Sequence, residues 1–123
     1  MSVEVISLIG ATGTRVVPDP TSYSSVSPEW TEEEFRAFEL AEGSLGGLWR
    51  GEPGRVSFDS WPYTEVCVII SGHIAIEDES GRRRDFHDGA AFVIPQGFRG
   101  TWITVQETEK IFVGICGNAE TQS

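Results

Sequence analysis

The 123-residue chain contains one lysine, two histidines, two cysteines and one methionine. Two imidazoles, His73 and His87, are too few for a metal centre built on three histidines. Two thiols, Cys67 and Cys116, do not make a disulfide framework. Both lie in apolar, strand-like runs, so buried free thiols in a reducing compartment are expected, with a bridge between neighbouring strands as the alternative. Basic charge is scarce too: 9 Lys and Arg stand against 19 Asp and Glu, a formal net charge of −10. Such a chain repels phosphate backbones and anionic lipid, so neither nucleic acid nor membrane is an expected partner. The apolar start, Met1 to Gly10, lacks a basic flank and is too short to span a bilayer. A cytoplasmic location follows as the expectation.

Turn formers are plentiful, with 14 Gly and 6 Pro. From residue 45 onward they separate short runs of β-branched and aromatic residues. Leu45 to Arg50 and Arg55 to Asp59 come first. Val66 to Ile70 stops at Ser71-Gly72, and Gly72 to Glu77 follows. Arg84 to His87, Ala91 to Ile94, Thr101 to Val105 and Lys110 to Ile115 complete the set. Short strands at regular spacing predict an all-β antiparallel sandwich or barrel.

The first 44 residues have a different texture. Residues 3–9 alternate weakly and read as an edge strand or arm, and residues 10–28 have loop composition. Pro28 at a helix start, the Thr31/Glu34 capping pattern and Phe35 and Phe38 at helical spacing predict one short N-terminal helix over 28–42, stopped by Gly43. The domain reading is therefore an arm and helix over 1–44, a barrel over 45–117 and a frayed tail over 118–123.

Two half-motifs carry a resemblance. Gly54, Glu65 and Gly72 hold the frame of one, and Gly89, Pro95 and Gly97 that of the other. Together they resemble the cupin superfamily, a double-stranded β-helix or jelly-roll barrel. Trp49, Tyr63, Glu65-Val66-Cys67, Phe92, Trp102 and Lys110 make the chain similar to the small single-domain cupins of DUF861, themselves similar to the ureidoglycine aminohydrolase cupin domain and to ethanolamine-utilisation cupins. Ala90 stands where that family commonly has Asp. Cupin enzymes usually hold a metal through three His and one Glu. Here the first pair of histidine positions falls on Ser60, Trp61 or Pro62, and the later one on Gly100. Only Glu65 remains. No metal cofactor is expected, since one carboxylate is too few for a tight site. Any ion would bind through Glu65 with water, or with Cys67 as second donor.

The resemblance implies that Glu65 points into the barrel, and Cys67 shares its face by the two-residue period. Trp102 is expected on the inward face as well. The lone Lys110 opens an apolar strand. It reads either as the buried partner of Glu65 or as a surface residue capping a strand end. Ile111, Val113 and Ile115 look like that strand's buried face. The site expected on these grounds has Glu65 and Lys110 as acid/base or binding groups, with Trp49, Tyr63, Cys67, Arg99 and Trp102 as ligand contacts. Arg99 would grip a carboxylate or phosphate at the mouth. Three functions compete: a metal-free pocket for an unidentified small molecule, with or without catalysis; a metal-dependent hydrolase of a small nitrogenous metabolite; and a non-catalytic sensor. A homodimer is expected, because jelly-roll edges must be paired or covered.

Overall fold

The computed structural model describes residues 3–117. Nine strands and one 3-10 turn follow in order: β1 (Thr14–Val16), the turn (Pro20–Ser22), β2 (Ser25–Val26), β3 (Glu32–Glu39), β4 (Leu45–Gly51), β5 (Gly54–Phe58), β6 (Thr64–Asp78), β7 (Arg83–His87), β8 (Ala91–Ile94) and β9 (Gly100–Ile115). The all-β cupin barrel expected from the resemblance is the fold. Among the described residues no helix is long and apolar enough to cross a membrane. The tail over 118–123 lies outside the described residues.

Two long antiparallel strands, β6 and β9, form the spine. The first half of β6 pairs with β8 on one side and the second half of β9 on the other; the second half of β6 pairs with β7 and the first half of β9. The outer strands continue from β9: β5 and β2 flank its first half, and β4, β3 and β1 flank its second. The turn-like residues Ser71-Gly72 and the polar stretch over 106–109 predict a break in each spine strand. Both run through. Register shifts between Ile69 and Ile74 bend β6 without ending it. Gly72 sits at the bend with φ +117, and a Cβ there would meet Thr108 and the Glu107 carbonyl. The bend lets one strand serve both layers of the roll.

The predicted helix over 28–42 is absent. β3 occupies that stretch, paired with β4 from Glu32↔Gly51 to Glu39↔Leu45. A β-bulge between Arg36 and Phe38 explains the misreading. Phe35 faces Leu48 and Phe38 faces Gly46, so the extra residue puts two phenylalanines three apart on one face of a strand. That spacing mimics a helix. The free edge of β4 supplies the backbone partners that capping residues alone could not match. β1 adds to β3 through Thr14↔Arg36 to Val16↔Glu34, so the sheet extends past the expected boundary at residue 45. Residues 3–9 form no strand, and Val3, Val5, Ile6 and Ile9 are exposed.

The core lies inside the roll. Along the first half of β6, Glu65, Cys67 and Ile69 are buried while Val66, Val68 and Ile70 are half-buried on the outer face. Trp49, Val56, Phe58, Ile74, Ile94, Trp102 and Phe112 complete the interior cluster. On β9 the expected buried face is reversed: Lys110, Phe112 and Gly114 are buried, whereas Ile111 and Val113 are half-buried and Ile115 is exposed. The β6 and β9 register decides this, because Cys67↔Phe112 and Ile69↔Lys110 pair two inward residues each.

Candidate functional site

Three strands bring the central pair together. Lys110 on β9 lies between Trp49 of β4 and Ile69 of β6 in the ladder, and Glu65 lies further along β6, opposite Gly114. The Lys110 ammonium donates to Glu65 Oε2 at 2.5 Å. Glu65 and Lys110 are 3% and 4% exposed, so this is a buried ion pair rather than a surface one. Glu65 also accepts from Trp61 Nε1 at 3.2 Å and from the Cys67 thiol at 3.0 Å. Lys110 Nζ sits 4.3 Å from the Trp102 ring centroid and 5.1 Å from that of Trp49, an arrangement in which two indole faces help to solvate the charge.

Burial by itself would push the Lys110 ammonium toward its neutral form. The Cys67 and Glu65 side chains beside it outweigh burial, and its pKa is raised. Burial pushes the Cys67 thiol up; the Lys110 ammonium opposes this, and the Glu65 carboxylate adds to it. Cys67 is thus a thiol at neutral pH, and the anion facing Lys110 is Glu65.

A cavity of about 350 Å³ opens beside the pair. All four tryptophans and both tyrosines of the chain line it. Trp30 and Trp49 are tilted at 6.3 Å, and Trp49 and Trp102 meet edge-on at 5.5 Å. Gly114 makes room for Tyr63, whose ring a Cβ would strike. The Tyr63 hydroxyl has no hydrogen-bond partner among the described residues, and burial followed by the charges of Glu65 and Glu34 pushes its pKa up.

β3 supplies a wall that sequence reasoning missed. Glu32, Glu34 and Arg36 alternate along it and all line the cavity. Arg36 Nε donates to Glu34 at 2.6 Å, and its Nη1 donates to Glu39 at 3.2 Å. Burial raises the Glu34 pKa, with Arg36 opposing. Glu32 accepts from Tyr23 Oη at 2.6 Å, Trp30 Nε1 at 2.9 Å and Trp49 Nε1 at 2.8 Å. The available signal was the two-residue alternation of charge through Glu32, Glu34 and Arg36, which the helical spacing of Phe35 and Phe38 overrode.

Of the residues expected in the site, Glu65, Lys110, Trp49, Tyr63 and Trp102 come together around the cavity, and Cys67 sits fully buried behind the ion pair. Arg99 does not join them. It is exposed and 3.9–4.0 Å from Glu79 and Asp59, because its chain neighbour Phe98 turns inward to Phe58 and leaves Arg99 facing solvent. The two histidines also lie apart from the cavity: His73 stacks on His87 at 4.0 Å and meets Asp85 at 2.6 Å.

A metal does not fit these residues. The Lys110 ammonium already holds the Glu65 carboxylate and contacts the Cys67 sulfur, and among the described residues no three His, Cys, Asp or Glu side chains converge to hold an ion.

Comparison with known proteins gives the same architecture. The EutQ protein of Clostridium difficile superposes with a TM-score of 0.64 at 17% identity, covering 78% of this chain and 77% of that one. A DUF861 family protein of Thermotoga maritima gives 0.52 at 20% identity, covering 55% and 76%. A DUF861 family protein of Pseudomonas syringae gives 0.63 at 20% identity, covering 92% of this chain and 45% of its own longer chain. No curated protein matches. The model of the EutQ-like cupin domain matches residues 38–112, the span that contains β4 to β8, most of β9 and both members of the buried pair. By that match, this chain belongs to the EutQ-like cupin family.

Proposed function

We propose that the chain is a small-molecule-binding cupin in which a lysine has taken over the partnership of the one remaining metal-site carboxylate. The observation that carries this reading is the buried Lys110–Glu65 pair at the wall of a cavity lined by every tryptophan and tyrosine of the chain. Aromatic walls with a few fixed polar groups suit a small ligand, and the volume falls near the lower end of ligand pockets, roughly 300–1,000 Å³. The chemistry of the pair favours binding over proton transfer. A base must be unprotonated at working pH, and Lys110 is held charged. Its charge fixes the orientation of Glu65 and closes the centre to a metal.

The test joins metal analysis with ligand titration. Protein purified without chelator should carry well under one Mn, Fe, Ni or Zn per chain. Fluorescence titration with small amines, alcohols and carboxylates should find at least one class that binds, undiminished by a chelator. A stoichiometric metal, or binding that chelation abolishes, would overturn the reading in favour of a metal-dependent hydrolase.

We also propose a homodimer built on the outer face of β6, β8 and β9. Val66 pairs with Val93 and Val113, and Val68 with Ile111, which makes a β-branched patch facing away from Glu65. Val93 is 54% exposed. A patch of this kind, with the exposed apolar residues of the 3–9 segment, has more to gain from a second copy than from water. Val93→Arg should halve the mass measured by light scattering; an unchanged mass, or a wild-type monomer, contradicts the dimer.

A further inference from the structure

The cavity's charges are not evenly matched. Five charged side chains line it: Glu32, Glu34, Glu65, Arg36 and Lys110. Each cation is already engaged, Lys110 by Glu65 and Arg36 by Glu34 and Glu39. Glu34 and Glu65 are thereby neutralised. Glu32 is not. Its oxygens accept only from neutral groups, a phenol and two indoles, and no salt bridge reaches it among the described residues. Neutral donors satisfy a carboxylate's lone pairs and leave its charge uncompensated. The cavity therefore presents one net negative charge, set among aromatic rings.

From this geometry we infer that the cavity takes a small organic cation, an amine with a compact apolar body, whose charge is received by Glu32 and the surrounding rings. The inference rests on the small-molecule reading above and narrows its ligand class. Indole and phenol faces attract a cation and do nothing for an anion. Lys110 shows that the rings accept an ammonium, since its Nζ already lies over Trp102 and Trp49. A carboxylate or phosphate ligand would have to displace Glu34 from Arg36 or Glu65 from Lys110, and either exchange leaves a buried anion without its partner. The unpartnered Tyr63 hydroxyl offers a neutral ligand atom a further hydrogen bond.

Three probes of one shape and different charge decide the matter: n-butylammonium, 1-butanol and butyrate. All four tryptophans line the cavity, so intrinsic fluorescence reports occupancy directly. Butylammonium should bind about tenfold tighter than butanol, and butyrate most weakly. Glu32→Gln should remove about tenfold from butylammonium and leave butanol unchanged. The wild-type series stands alone should that variant fail to fold, which circular dichroism will show. Butyrate binding as well as butylammonium, or butanol matching it, overturns the cation inference and leaves the small-molecule reading intact. If none of the three changes the emission, both fall.

Discussion

Lys110→Met is expected to cost the fold about 3–5 kcal/mol, the usual penalty for removing one member of a buried ion pair. Methionine is close to lysine in shape, so the loss isolates the charge. What remains is a Glu65 carboxylate at 3% exposure with only Trp61 and Cys67 as donors. The two indoles that shared the ammonium lose a contact worth about 0.5–2 kcal/mol of that total. Adding Glu65→Gln to the same chain should recover much of the loss, because a neutral amide tolerates the site that an unpaired carboxylate does not. The double variant should thus be more stable than the sum of the single effects predicts. Urea titrations of the four proteins measure this. A Lys110→Met protein within about 1 kcal/mol of wild type would show that the pair carries little of the fold's stability.

The second large effect lies on the alkaline side. The pKa values of Cys67, Tyr63 and Tyr23 are all raised, by burial first in each case, so the folded chain keeps protons that the unfolded chain releases from about pH 8.5 for the thiol and about pH 10 for the phenols. Lys110 is raised as well, and its proton is kept in the fold after the unfolded chain loses it near pH 10.4. In every case the unfolded state binds fewer protons over the window, so stability falls as pH rises. Each group contributes up to about 1.4 kcal/mol per pH unit once its unfolded form has ionised. Stability should therefore decline slowly above about pH 8.5 and steeply beyond about pH 10. Cys67→Ala should remove the early decline and spare the later one. A stability that stays level to about pH 10.5 contradicts the arrangement of these four groups. Glu34 works in the opposite pH range: its pKa is raised above 4.5 by burial, so acidification through the interval just above that value favours the folded state.

Much of the barrel was legible because its signals are local. The glycine and proline punctuation from residue 45 onward marks real strand ends at β4, β5, β7 and β8, and the two-residue period of Glu65, Cys67 and Ile69 identifies the inward face of β6. The lone Lys110 and Glu65, the one carboxylate left at the metal positions, point to one another because a buried charge needs a partner, and the register of β4, β6 and β9 brings them together. What stayed hidden depended on backbone irregularities that leave weak traces in sequence. The bulge after Arg36 gave a strand the spacing of a helix, and with that the charged wall of Glu32, Glu34 and Arg36 was lost. The bend at Gly72 looked like a turn, although the chain continues through it. Arg99 shows a third limit: a charged residue beside an aromatic in a loop reads as a gatekeeper, yet which of the two turns inward is settled by packing at a distance, here by Phe58.

The single lysine makes the central claim directly measurable, since selective ¹⁵N labelling of lysine gives one Nζ resonance from the whole chain. A signal from a slowly exchanging ammonium that titrates above the ordinary lysine value of about 10.4 is the result expected of a proton held between Glu65 and two indole faces. A signal that exchanges freely with water, or titrates at or below that value, would place Lys110 outside a charged buried pair and contradict the account.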